Sequence, residues 1–257
     1  MTTVERPRRQ ATDVEYSRNS FLTRLTTDHF GDLLGLGDPV SFPADHTIVE
    51  QGRHMPPLLL LQSGFVKAVR CALSASPPAV INVYGPGDVV GAEAAYADRR
   101  AHAAFVTTRP VRAQLVPQRM FMAYLDRNPA VMRQLVATFA NRVRQREAAL
   151  AYSRHDVLER LVAFLTRQQA FYATATDDGD LIDMGLSRTD IGAAIGASEA
   201  AVDDALRRLR AEDYIRTGYK KIWIRRQLSE ELSPVLRPSS AQKGTRLTGS
   251  VTRRRCE

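Results

Sequence analysis

Basic side chains and helix-start signals are concentrated between residues 186 and 226. This stretch carries nine basic and six acidic side chains, a net charge of +3, and Ser187 and Ser198 stand where each could cap a helix. Lysine and arginine bind phosphate groups, and polar side chains on an exposed helix face can hydrogen-bond to base edges. The candidate contact residues lie at helix starts, on one helix face or in a turn: Ser187, Arg188, Ser198, Glu199, Ala200, Asp203, Asp204, Arg207, Arg208, Lys220 and Lys221.

Two helices and a hairpin must position these side chains. Ser187 precedes Asp190 by three residues, the spacing of a capping box, and Gly196 ends the first helix. After Ser198, apolar residues recur on one face of a second helix, and short alternating strands flank a turn that contains Gly218. The pattern predicts a helix-turn-helix with a β-hairpin wing, an architecture that binds duplex DNA in the major groove. A core αα-hairpin is the alternative, because helix pairs with a central glycine are common.

The segment resembles the C-terminal DNA-binding domain of the cyclic-AMP receptor protein and fumarate-nitrate regulator (CRP/FNR) family. The usual family pattern, LTRQDIAxxLGxSRETVxRxLxxLExxGLI, aligns with it without a gap. The matching positions are Leu186, Ser187, Arg188, Asp190, Ile191, Gly196, Ser198, Val202, Leu206, Leu209 and Ile215. The resemblance implies a dimeric transcription regulator whose partners are double-stranded DNA, a second copy of the chain and RNA polymerase.

Upstream, the chain carries the elements that this family places before its DNA-binding domain. Short β-branched or apolar runs at 40–50, 58–70, 80–84 and 103–116, separated by Gly and Pro turns, predict a small antiparallel β-roll. From Pro129 onwards apolar residues recur every three or four positions, which predicts a long helix with proline in its first turn. Such a stripe can be core or a dimer seam, and the resemblance implies a dimer seam.

The predicted fold class is α+β, with an N-terminal cyclic-nucleotide-binding-type β-roll, a long dimerisation helix and a C-terminal winged helix-turn-helix. The expected segments are a disordered tail at 1–20, a β-roll sensor at 21–128, the dimerisation helix at 129–152, the DNA-binding domain at 153–228 and a basic disordered tail at 229–257. The run from Arg253 to Arg255 would add sequence-independent attraction to phosphates.

The second helix departs from the family pattern at its reading positions. The family commonly has Arg, Glu and Arg there, whereas the matching residues are Glu199, Ala200 and Asp204. A carboxylate can accept a hydrogen bond from cytosine N4, but the phosphates repel it. Alternatively, Asp203 and Asp204 form i,i+4 pairs with Arg207 and Arg208 along the helix. Base recognition then passes to Arg207, Arg208 or Arg188.

The effector region departs from the family as well. Cyclic-nucleotide binders of the family have Gly-Glu followed further along by Arg-Ser or Arg-Ala, and these residues hold the ribose and the cyclic phosphate. The candidates here are Gly91, Glu93, Arg100, Ala101, His102 and Arg146. Counting back from Phe105 places His102 where the arginine belongs, so the spacing of Arg100 does not match. We therefore expect no classical cyclic-AMP binding, and another small ligand or none in the β-roll.

Other functional classes lack their residue patterns. No G-x-S-x-G, H-E-x-x-H or P-loop motif occurs, so we expect no enzymatic activity. Two cysteines are too few for a four-cysteine iron-sulfur cluster or a zinc site, although Cys71, His54 and His102 leave haem ligation open. Without a membrane-length apolar run or a signal peptide, we expect a cytoplasmic protein that does not contact membranes. The alternative function is a dimeric protein-interaction module that has lost specific DNA binding.

Overall fold

The computed structural model describes Tyr16 and residues 20–54, 56–71, 77–97 and 99–228. The predicted tail at 229–257, and the tail at 1–20 apart from Tyr16 and Ser20, lie outside these residues. The helices are α1 (Thr27–Leu34), α2 (Ala92–Tyr96), α3 (Gln118–Arg127), α4 (Pro129–Ala151), α5 (Val157–Tyr172), α6 (Arg188–Ile195) and α7 (Glu199–Ala211). The strands are β1 (Asp38–Phe42), β2 (Thr47–Val49), β3 (Leu58–Ser63), β4 (Val66–Arg70), β5 (Ala79–Tyr84), β6 (Val89–Val90), β7 (Ala104–Thr107), β8 (Val111–Val116), β9 (Thr174–Thr176), β10 (Gly179–Ile182), β11 (Ile215–Gly218) and β12 (Lys221–Ile224).

The first eight strands form two four-stranded antiparallel sheets, in the orders β1-β8-β3-β6 and β2-β7-β4-β5. All four leucines of the run 58–61 are fully buried, although successive side chains of a strand point to opposite faces. Leu58 and Leu60 pack against the helical layer with Phe121, whereas Leu59 and Leu61 pack into the core that the two sheets share. The predicted β-roll is confirmed, with apolar layers on both faces of β3.

Gly64 explains why the predicted run 58–70 is two strands that belong to different sheets. Its φ is +82°, and a Cβ at this position would lie 2.1 Å from the carbonyl oxygen of Pro110. Only glycine fits both the left-handed backbone and the close approach. The chain can therefore leave β3 and enter β4 of the second sheet within two residues.

Helix α4 has two apolar faces with different surroundings. Pro129 occupies its first turn, as predicted, and Val131 and Leu135 are buried against the roll and α3. Val136, Val143 and Leu150 are 57%, 54% and 69% exposed and are spaced seven residues apart. The described chain thus leaves one apolar face of α4 open to solvent.

The C-terminal unit consists of α5, the α6–α7 pair and a third antiparallel sheet. Asp156 and Glu159 form a capping box at the start of α5. The sheet order is β11-β12-β10-β9, so the predicted wing hairpin is one half of a four-stranded sheet. The strands β9 and β10 were not predicted: β10 pairs with β12, and β9 pairs with the other edge of β10.

This C-terminal unit packs directly on the roll of the same chain. Thr108 Oγ1 donates a buried hydrogen bond of 2.5 Å to the carbonyl oxygen of Met184. Lys67 Nζ, on β4, lies 2.6 Å from Asp190 Oδ1 in the first turn of α6. Val83 of β5 belongs to the same apolar cluster as the C-terminal core. The helix-turn-helix is therefore held against the sensor domain by apolar, hydrogen-bonded and ionic contacts.

Candidate functional site

The helix-turn-helix begins and ends at the predicted residues. Ser187 and Asp190 form a capping box, and Gly196 ends α6 with a φ of +67°. Ser198 caps α7 by accepting a hydrogen bond from the Ala201 amide. The predicted apolar face of α7 is buried and consists of Val202, Ala205, Leu206 and Leu209. Because this face is buried, the opposite face of α7 lies at the surface.

The acidic side chains on the outer face of α7 all have partners. Asp203 Oδ1 lies 2.6 Å from Nε of Arg188, and Asp204 Oδ1 accepts a hydrogen bond of 2.7 Å from Nη1 of Arg207. Glu199 Oε2 accepts one of 2.6 Å from the Thr189 hydroxyl. These pairings place the carboxylate charges next to donors before any DNA is bound.

The predicted i,i+4 pairing of Asp203 with Arg207 is therefore wrong. Arg207 pairs with Asp204 at i,i+3, and Asp203 takes its partner from α6. The reason is tertiary, because the start of α6 packs across α7 and brings Arg188 within reach. Ala200 and Arg208 lie exposed on the same outer surface, as expected.

The wing lysines lie beside acidic side chains. Lys220 Nζ is 3.7 Å from Asp45 Oδ2 of the roll, and Lys221 Nζ is 3.0 Å from Asp183 Oδ2. Arg109, in the roll between β7 and β8, donates hydrogen bonds to the Asp183 carboxylate and to the carbonyl oxygen of Lys220. These bonds connect the wing turn to the roll. The structure thus places these candidate phosphate contacts at the junction of the two domains.

A second candidate site is a cavity of about 320 Å³ between α2, α4 and the loop before β7. Four of the predicted effector residues line it together: Glu93, Arg100, His102 and Arg146. The other two predicted effector residues, Gly91 and Ala101, are buried and do not line the cavity. Gly91 is the N-cap of α2 and has a φ of +86°. Besides the predicted Arg146, helix α4 contributes three residues to this wall that the sequence did not point to: Phe139, Arg142 and Val143.

Arg142 is the buried cation of this cavity. Its Nη2 lies 3.0 Å from Asp88 Oδ1, its Nη1 lies 3.6 Å from Glu93 Oε1, and its guanidinium carbon is 4.5 Å from the Tyr84 ring centre. Burial alone would lower the pKa of Arg142, but the carboxylates of Asp88 and Glu93, together with Tyr84, outweigh it and raise the pKa above its ordinary value. Arg142 therefore stays charged inside the protein.

Glu93 is engaged by the protein itself. The Tyr84 hydroxyl donates a 3.0 Å hydrogen bond to Glu93 Oε1, and burial together with the Glu93 charge raises the pKa of Tyr84. Oε2 of Glu93 and Nη1 of Arg142 are buried without a hydrogen-bond partner. Arg100 is exposed and donates to the carbonyl oxygen of Gly52. The carboxylate and the buried cation of this cavity thus bind each other, while Arg100 lies at its rim.

The described residues contain neither a cluster of metal ligands nor a membrane-spanning helix. No three His, Cys, Asp or Glu side chains converge there as a metal site would require. None of the helices in that part of the chain is sufficiently long and apolar to cross a membrane.

The comparisons with known proteins match both halves of the chain. A cyclic nucleotide-binding domain model matches residues 39–128, and a Crp-like helix-turn-helix domain model matches residues 159–228. The CRP-like cAMP-activated global transcriptional regulator of Mycobacterium tuberculosis is 25% identical over 187 residues, which cover 72% of this chain and 83% of that protein.

Solved structures share the fold at lower identity. FixK2 from Bradyrhizobium japonicum superposes with a TM-score of 0.65 and 22% identity, over 74% of this chain and 93% of that one. The c-di-GMP responsive global regulator CLP from Xanthomonas campestris superposes with a TM-score of 0.64 and 15% identity, over 77% and 99% of the two chains. The two domain models match the chain in the predicted order, with the β-roll domain before the helix-turn-helix domain. The chain therefore belongs to the CRP/FNR family of DNA-binding transcription regulators.

Proposed function

We propose that this regulator acts as a homodimer that pairs through α4 and presents two winged helix-turn-helix units to duplex DNA. The observation that carries the proposal is the exposed row of Val136, Val143 and Leu150 on α4. A spacing of seven residues is the repeat of a two-stranded coiled coil, and the other face of the helix is already buried against the roll. A second α4 is the partner that fits such a row.

The same pairing would complete the effector cavity. Phe139, Val143 and Arg146 line the cavity and lie on or beside the exposed row. A partner helix on this row would therefore close the open side of the cavity. Whatever the β-roll binds would then bias the packing of α4, and the helix-turn-helix would move as a rigid body about the segment between α4 and α5.

The effector is a small molecule other than cyclic AMP, or none. Three observations support this proposal: His102 stands in the arginine position, Arg100 lies at the rim, and Glu93 is engaged by Tyr84 and Arg142. The alternative of a protein-interaction module without DNA binding would rest on the acidic outer face of α7, and the carboxylates of that face are already paired with donors of α6 and α7. RNA polymerase remains a predicted partner on DNA.

The dimer proposal is tested by placing a charge in the row. Val143→Glu should give a particle near the chain mass of 28.6 kDa in light scattering, instead of twice that mass. It should also weaken binding to DNA with two half-sites by about 100-fold, because the second site is no longer tethered. Ala148→Glu is the matched control, since Ala148 is exposed and lies about 140° around the helix from Val143. A Val143→Glu protein that remains dimeric with unchanged affinity would refute the proposal.

A further inference from the structure

Two contacts at the protein surface join α6 to α7, and one of them involves Glu199, a residue that departs from the family pattern. The Thr189 hydroxyl donates to Glu199, and Arg188 Nε lies 2.6 Å from Asp203 Oδ1. Arg188 and Asp203 keep 46% and 37% of their side-chain surface exposed, so the pair lies at the surface. The ion pair draws the guanidinium of Arg188 from the start of α6 onto the outer face of α7.

The geometry of this pair leaves one edge of the guanidinium open. Asp203 binds at Nε, and the terminal nitrogens Nη1 and Nη2 form the edge that matches the O6 and N7 acceptors of guanine. We propose that Arg188 reads a guanine in the major groove and that Asp203 is the positioning residue that holds its guanidinium on the reading face. The inference rests on the proposed mode of DNA binding.

Asp203 itself is poorly suited to read a base. One of its oxygens already contacts Arg188, and a free carboxylate facing the groove would be repelled by the phosphates. Arg207 is a weaker candidate than Arg188 because its pairing with Asp204 occupies Nη1, one of the two terminal nitrogens. The reading function that the family places at the start of its second helix thus passes, in this chain, to the first residue of α6.

Selection from a random duplex library with the full-length protein tests the inference. Arg188→Lys keeps the charge but loses the planar two-nitrogen edge. It should reduce the preference for one guanine in each half-site by at least about fivefold, and at most about 100-fold. Affinity for random duplex and its salt dependence should stay unchanged, since the number of phosphate contacts does not change.

Asp203→Asn should weaken the same preference without creating a new one. The double variant should be no worse than Arg188→Lys alone, because the two residues act through one contact. Arg207→Lys and Asp204→Asn are the matched controls and should leave this guanine preference intact. Thermal denaturation of each variant separates these effects from loss of folding.

Three results would overturn the inference. Arg188→Lys could select the same motif as the unmodified chain, or Arg188→Ala could weaken all sequences equally and lower the salt slope by about one, as for a phosphate contact. In a protein that already carries Arg188→Ala, Asp203→Asn could instead change the preferred base. That result would mean that Asp203 is the residue that recognises the base. If the unmodified dimer binds no duplex at all, the proposed mode of DNA binding fails first.

Discussion

Tyr172 donates a 2.7 Å hydrogen bond to Oδ2 of Asp88. Tyr172 is the last residue of α5, and Asp88 is a buried residue of the roll. The other oxygen of the same carboxylate binds Arg142 of the effector cavity. Burial, followed by the charge of Asp88, raises the pKa of Tyr172 well above its ordinary value, so the hydroxyl remains a donor. One carboxylate thus connects the cavity, the roll and the DNA-binding unit.

Replacing Asp88 should destabilise the protein strongly. Asp88→Asn leaves an amide oxygen for Tyr172 but removes the charge opposite Arg142, whose side chain is only 15% exposed. Leaving a buried guanidinium without its principal counter-charge should cost about 3 kcal/mol of unfolding free energy. Urea denaturation followed by circular dichroism measures this loss. Asp126→Asn, on the exposed face of α3, is the control and should change the free energy little. Equal stability of the two variants would contradict the central role of Asp88.

Much of the DNA-binding unit was predictable because its signals are local. The caps at Ser187 and Ser198 and the left-handed Gly196 are decided by neighbouring residues, so the sequence predicts where α6 and α7 begin and end. The strands β9 and β10 were not predictable in this way. Thr174–Thr176 is exposed at every position and has no alternating pattern, so its strand conformation depends on pairing with β10.

The missed contacts of Asp203 and Arg142 are both tertiary. The i,i+4 rule considers one helix alone, whereas Asp203 found its partner on α6. Arg142 was missed because the effector candidate on α4 was Arg146, one turn later. What selects Arg142 is the position of Asp88 and Glu93 on the roll, which the helical pattern of α4 does not contain.

The pair Lys67 and Asp190 should make stability depend on acid. Burial alone raises the pKa of Asp190, but hydrogen bonds from Lys67 and Ser187 outweigh it and leave the pKa below its ordinary value. A carboxyl with a lowered folded pKa stabilises the fold fully above its unfolded pKa, about 3.9, and this contribution disappears as the pH falls through the folded value.

Lys67→Met should therefore lower the unfolding free energy by about 1–3 kcal/mol at pH 7 and by less below pH 4. Thermal and urea unfolding of the variant and the unmodified protein, at pH 7 and at a pH below 4, measure this loss of unfolding free energy. Arg70→Met, at the exposed end of the same strand, is the control and should have no effect that depends on pH. A loss of equal size at both pH values would mean that Lys67 stabilises the fold through packing and not through Asp190.

Cyclic AMP should not bind at micromolar concentrations. Without a cation aligned on the cyclic phosphate, the complex lacks a charge-assisted hydrogen bond, which weakens binding at least about tenfold. Isothermal titration calorimetry of the purified protein is the direct test, with the Mycobacterium tuberculosis regulator named as cAMP-activated as the positive control. A saturable isotherm with one site per subunit, abolished by Arg100→Ala, would show that Arg100 leaves Gly52 and reaches the phosphate.

The wing lysines should contribute to DNA binding through charge alone. Lys220 lies 3.7 Å from Asp45, a side chain that is 68% exposed, and such surface pairs are weak enough to be exchanged for a phosphate. Lys220→Ala and Lys221→Ala should each weaken binding to all sequences similarly and lower the slope of log affinity against log salt by about one. Gel shifts at several salt concentrations measure the slope, with Arg127→Ala at the exposed end of α3 as the control. An unchanged slope for Lys220→Ala combined with a lower slope for Lys221→Ala would mean that the Asp45 contact persists on DNA and that only the second lysine reaches the backbone.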